Sequence, residues 1–127
     1  MKKLFFMLLL ALSVNTAIVA QNTYNYNVSY VECFDTKTAQ LLETQSYPDL
    51  TITFKFNSQS TGRMILSSGI TIYLNSYRTL YEGAFEYQSV NANNNSRCIT
   101  KLYFSDTGLT IVLIFNDYTF RYTAWVN

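Results

Sequence analysis

From Leu109 to Ala124 apolar side chains recur at every second position, the period of a β-strand. Leu109, Ile111, Leu113 and Phe115 form one set, and Tyr118, Phe120, Tyr122 and Ala124 resume it after Asn116-Asp117. Both of those intervening types tolerate positive φ, so the pattern predicts a two-residue type I′ hairpin. Phe115 then pairs with Tyr118, Leu113 with Phe120, and Ile111 with Tyr122. Upstream, Ser105-Asp106-Thr107-Gly108 reads as a turn, with Gly108 suited to a left-handed conformation. A four-residue loop sets Phe104 against Leu109 and Leu102 against Ile111. A three-residue loop would turn Lys101 and Tyr103 inward instead. Because a one-residue slip reverses every side chain, burial of Leu102 and Phe104 selects four.

The same reading carries back along the chain. Asn91–Ser96 is a polar loop between a strand at about 79–90 and one at about 97–104. Residues 70–74 and 62–66 are two strands joined by Ser67-Ser68-Gly69, and residues 50–56 alternate with Ile52, Phe54 and Phe56 inward. Residues 24–34 form the first strand. In 35–45, Asp35-Thr36 either caps a short helix or turns the chain into another strand, and the strand is favoured. The fold class expected is all-β: an antiparallel meander of seven to nine strands. It would form a closed or partly open barrel, lipocalin-like in outline, or a β-sandwich.

Tyr24, Tyr26, Val28 and Tyr30 share one face of the first strand, whereas Cys33 falls on the other. Cys98 lies on the inward face of its own strand. A bulge near Val31-Glu32, or a change of sheet, would bring both cysteines inside.

The chain's start alters the charge and the compartment. Lys2 and Lys3 precede an apolar run, Leu4–Leu12, and Asn15–Ala20 reads as a cleavage region. Residues 1–20 are therefore expected to be a signal peptide, cut after Ala20 or Ala17, and 21–127 a single all-β domain. The apolar run is too short to span a bilayer, so no transmembrane segment is expected in the mature chain. The full sequence carries 9 Lys+Arg and 8 Asp+Glu; without Lys2 and Lys3 that is 7 against 8. A net charge near −1 builds no basic patch of the kind nucleic acid needs. The product is expected in the periplasm, at the cell surface or outside the cell.

Cys33 and Cys98 are the only two cysteines. Export would favour a disulfide between them, and two buried free thiols are the alternative. With no His in the chain, and with no closely spaced cysteine pair, neither a zinc site nor a Ser-His-Asp arrangement is expected. No cofactor is implied. Two carboxylates could suffice for glycosidase-like chemistry. Glu82 and Glu86, however, would lie about 13 Å apart on one strand, outside the roughly 5–9.5 Å that such chemistry uses.

Binding is the better expectation. The deduced registers put Ile99, Ile114 and Thr119 in one outward row, then Lys101, Val112 and Arg121, then Tyr103, Thr110 and Thr123, with Trp125 beyond. This face is either covered by another sheet or a contact surface for a carbohydrate or an envelope protein. Tyr73, Tyr77, Arg78 and Tyr81, around a turn expected at 75–78, form a second candidate contact region. A structural or inhibitory protein-interaction module is the runner-up function, and a homo-oligomer fits it. A small-barrel carrier of an apolar ligand is a further alternative.

The "IVAQ" signal ending, the Tyr/Asn-rich start of the mature chain and the closing "GLTIVLIFNDYTFRY" hairpin carry a resemblance. In these features the chain resembles the small exported β-rich proteins of gut Bacteroidetes. That resemblance implies an envelope or extracellular location and no particular activity.

Overall fold

A computed structural model describes residues 22–58 and 60–126; the signal segment and cleavage site expected from the sequence lie outside them. Nine antiparallel strands follow in order: β1 (Asn22–Asp35), β2 (Leu41–Ser46), β3 (Thr51–Phe56), β4 (Gly62–Leu66) and β5 (Thr71–Tyr81). The series continues with β6 (Ala84–Asn91), β7 (Arg97–Phe104), β8 (Leu109–Ile114) and β9 (Tyr118–Val126). Strands β3 to β9 pair in sequence and β1 joins β3 to β9, closing an eight-stranded barrel. The ninth strand, β2, stands outside the ring and pairs with β1 alone. Closure decides between the two architectures left open by the alternation: this is a barrel, and among the described residues no second sheet covers its outer wall.

Hydrophobic alternation fills the inside. Tyr26, Ile52, Phe54, Phe56, Met64, Ile72, Leu74, Leu102 and Ile111 are almost wholly buried. Phe54 stacks on Phe56 at 5.8 Å and meets the edge of Tyr26 at the same distance. The space among Tyr24, Tyr26, Phe54, Phe56, Leu102 and Phe104 holds no water-sized void. This part of the lumen is packed core, as expected for an eight-stranded barrel lined by large side chains. The inward hydroxyls of Thr100 and Ser89 are linked, Thr100 Oγ1 donating to Ser89 Oγ at 2.9 Å and Ser89 Oγ to the Tyr87 carbonyl at 3.3 Å.

Both tight hairpins at the C-terminal end have the registers expected from the pattern. Phe104 faces Leu109, Leu102 faces Ile111, Leu113 faces Phe120 and Ile111 faces Tyr122. Their turn chemistry differs from expectation. Neither Asn116 nor Asp117 has positive φ, so the turn is not type I′. The Phe115 carbonyl instead accepts from Thr36 Oγ1 at 2.9 Å, and the Asp117 carbonyl from Thr36 N–H at 3.0 Å. Nor is Gly108 left-handed. A Cβ there would collide with the Ala124 carbonyl oxygen, so close approach is what demands glycine.

Other boundaries are corrected too. The strand expected at 79–90 is interrupted at Glu82-Gly83, where Gly83 has φ +84° and the chain reverses between β5 and β6. Glu82 therefore lies in a turn and shares no strand face with Glu86. The turn expected at 75–78 is a bulge within β5, at Ser76 with φ +52°. Residues 41–46, by contrast, form the strand favoured from the sequence, after a turn in which Asp35 Oδ1 accepts from Lys37 and Thr38 N–H at 2.9 and 3.0 Å.

Strand β1 contains the discontinuity that Cys33 required, at Ser29 rather than near Val31-Glu32. Here one edge of β1 passes from β3 to β2: Val28 N–H donates to the Leu50 carbonyl, and Tyr47 N–H to the Ser29 carbonyl. The extra residue turns Val31 and Cys33 inward, opposite Tyr122 and Phe120. Cys33 and Cys98 thus both face the interior, yet both are free thiols. Strands β8 and β9 separate β1 from β7. Strand spacings of about 4.8 Å put the two cysteines well beyond the roughly 7 Å Cα limit for a bridge.

Burial pushes both thiols up, Cys98 to about 11, and the Glu43 carboxylate adds to the rise at Cys33. Both stay protonated and unreactive at neutral pH. Dithiothreitol is therefore expected to leave the thermal midpoint unchanged. A bridge closing about 65 residues would instead be worth roughly 4 kcal/mol, and its reduction would lower the midpoint visibly.

Candidate functional site

The outward rows deduced from the sequence are present. Ile99, Ile114 and Thr119 are successive ladder partners, as are Lys101, Val112 and Arg121, and Tyr103, Thr110 and Thr123. The middle row extends further around the barrel, through Glu86 and Arg78 on one side and Glu32 on the other. Arg78 and Tyr81 are thereby brought beside Lys101 and Tyr103, uniting parts of two regions that looked separate in the sequence. The Tyr81 and Tyr103 rings lie 6.4 Å apart. The Tyr103 phenol is raised by burial, then by Tyr81 and Glu86.

Carboxylates already engage the cations of this wall. Arg78 Nη2 donates to Glu86 Oε2 at 2.7 Å, and Lys101 Nζ stands 4.0 Å from Glu86 Oε1. Arg121 grips Glu32 with both arms of its guanidinium, at 2.7 and 2.9 Å, and lies 5.1 Å over the Phe34 ring. Such bidentate pairs are strong and directional, and their donors are committed. Val112 and Ile114 are half-buried on the same wall. Tyr73 is exposed, whereas Tyr77 turns inward past the Ser76 bulge and packs on Phe85 and Tyr87 at 5.5 and 5.6 Å. Trp125 belongs to a different cluster, edge-on to Tyr47 at 6.5 Å.

A concavity lies at one end of the barrel. A cleft of about 540 Å³ opens between the β6–β7 loop and the β8–β9 turn. Asn91, Asn94 and Arg97 line one side, and Asn116, Asp117 and Tyr118 the other, above the rings of Phe115 and Phe120. Local chemistry fixes both walls. Asn91 Oδ1 accepts from Asn93 N–H and Asn94 Oδ1 from Ser96 N–H, while Asn95 takes the left-handed conformation that Asn tolerates. Asn93 ties the loop to the Gly69 carbonyl and to Thr71 N–H. On the far wall, Thr36 clamps the turn carbonyls.

Their side-chain carbonyls being used, the buried Asn91 and the exposed Asn94 have their amide N–H groups left to offer as donors at the cleft they line. Arg97 and Asp117 are exposed, and neither forms an ion pair among the described residues. The cleft thus combines unpaired charge of both signs, amide donors and the exposed ring of Tyr118. Strand alternation gave no signal for it, because its walls are loops. The only cue was the density of Asn in 91–96 and at Asn116-Asp117.

A second, more apolar cleft of about 310 Å³ lies between β2 and the β4–β5 turn, floored by Val31, Cys33, Phe120 and Tyr122. Among the described residues no group of three or more Cys, Asp or Glu side chains could hold a metal ion. Comparison of the chain with protein-family models, with curated proteins and with solved structures finds no match.

Proposed function

We propose that the protein is an exported, non-catalytic carbohydrate-binding protein whose ligand occupies the cleft between the β6–β7 loop and the β8–β9 turn. The observation that carries this reading is the meeting of unpaired Arg97 and Asp117, and the Asn91 and Asn94 amides, with an exposed tyrosine ring in one concavity. Sugars present apolar C–H faces that pack on aromatic rings, and hydroxyls that both donate and accept. Asp117 accepts, Arg97 and the amides donate, and Tyr118 offers the ring. A cleft of this size suits a ligand of one to a few sugar rings.

A glycan array followed by calorimetry tests the proposal. Tyr118→Ala, Arg97→Ala and Asp117→Ala are each expected to weaken the best glycan by about tenfold, or 1.4 kcal/mol, with the fold intact because all three are exposed. Should these variants bind normally while Lys101→Ala or Tyr103→Ala loses affinity, the outer wall is the site. The exposed Tyr81 against Tyr103, with half-buried Val112 and Ile114 on the same wall, favours a second reading, a protein-interaction module acting through that wall. Val112→Arg would then abolish the complex and leave glycan binding untouched.

A further inference from the structure

We infer that β2 is a dimerisation strand, adding antiparallel to β2 of a second copy about a two-fold axis at Thr44. All six residues of β2 are exposed, and the strand bonds only to β1, whereas each strand of the ring is bonded on both edges. Free edges are normally blunted by lysine, an internal proline or a covering segment. Leu41–Ser46 has no lysine and no proline, its one bulge lies at Leu42 near the start of the strand, and its outer edge beyond that is open.

The direction of each backbone group follows from the ladder. Tyr47 N–H donates to the Ser29 carbonyl at 2.7 Å. Antiparallel bonding repeats every second residue, so Gln45 and Glu43 likewise turn their backbone groups towards β1. Thr44 and Ser46 therefore direct N–H and C=O away from the barrel.

A two-fold axis at Thr44 makes this edge complementary to itself. Thr44 meets Thr44 of the second copy, a favourable cross-strand pair, and Glu43 meets the second copy's Gln45, so no like charges are opposed. At the ends, Leu41, 48% exposed, meets the second copy's Tyr47, 76% exposed and backed by Trp125, while Leu42 falls opposite Ser46. Two of the large apolar side chains that the monomer leaves in water, Leu41 and Tyr47, are thus covered in each copy. Pairing of identical patches is what a closed two-fold dimer requires.

Sedimentation equilibrium of the mature chain over a concentration series provides the test. The expected result is reversible association to twice the monomer mass. Thr44→Pro removes an outward N–H while leaving the β1 ladder in place, and is expected to give a monomer with an unchanged thermal midpoint. Tyr47→Lys, which leaves the backbone alone, is expected to weaken association too. In a Cys33→Ser background, Thr44→Cys should oxidise to a covalent dimer, because hydrogen-bonded partners sit about 5.5 Å apart at Cα, within disulfide reach. A monomer at every concentration overturns the inference. So does a dimer that survives both Thr44→Pro and Tyr47→Lys. A dimer dissolved only by Val112→Arg would place the interface on the outer wall instead.

Discussion

Phe54→Ala is expected to cost about 3–5 kcal/mol, the range for removing a buried aromatic ring from a core that cannot collapse around the space. Phe54 is almost fully buried and holds two ring contacts, one stacked on Phe56 and one against the edge of Tyr26. Strands β1, β3 and β4 around it are locked by pairing on both sides, which limits relaxation. Against a total stability of about 5–15 kcal/mol for a domain of this kind, the loss is a large share of the whole. Urea denaturation should show a much lower midpoint with the slope unchanged. Thr123→Ala, on the outward face of β9, should stay within about 0.5 kcal/mol. Similar losses in the two variants would mean that the inner and outer faces have been assigned wrongly.

Gly108→Ala is the second large effect, and its cause is different. The new methyl would strike the Ala124 carbonyl oxygen, with the Ala124 carbonyl carbon and Trp125 Cα both 3.1 Å away. Every obstructing atom is backbone, so no side chain can swing aside and β9 itself must shift. Overpacking of this kind costs about 1–3 kcal/mol, and a fixed backbone obstacle puts the variant at the upper end. Gly69 makes the comparison. It has φ +104° with nothing within 4 Å of an added methyl group, so Gly69→Ala incurs only conformational strain, about 1 kcal/mol. If Gly69→Ala proves the more damaging, the steric account of Gly108 is wrong.

Much of the barrel is legible directly from side-chain alternation. The β7–β8 and β8–β9 registers follow because Leu102, Phe104, Leu109, Ile111, Leu113, Phe120 and Tyr122 can all be buried in only one alignment. Where a residue interrupts the period without changing composition, alternation is silent. Ser29 and Ser76 are ordinary strand-compatible residues, yet each adds one position to its strand and reverses the orientation of the residues beyond it. That is why Tyr77 packs inside although its spacing from Tyr73 and Tyr81 suggests a common exposed face. Glu82-Gly83 gives little warning of a reversal, because a single glycine among strand formers resembles a weak point as much as a turn. The outer rows are legible, but their carboxylate partners are not. Glu32 and Glu86 reach Arg121 and Arg78 only through registers involving β1 and β5, both displaced by bulges. The end cleft escapes entirely, since loops carry no period.

The pairing of the first strand with the last has a kinetic side. Arg121 and Glu32 grip each other across 89 residues of chain, and the rest of the β1–β9 ladder spans comparable separations. Contacts this distant in sequence lower the rate at which a chain finds its native arrangement, so this barrel belongs with slow, late-closing topologies rather than with fast local folders. A ribosome that still holds Tyr118–Val126 withholds the ring's final seam. Until release, the growing polypeptide has hairpins with open ends and no finished interior.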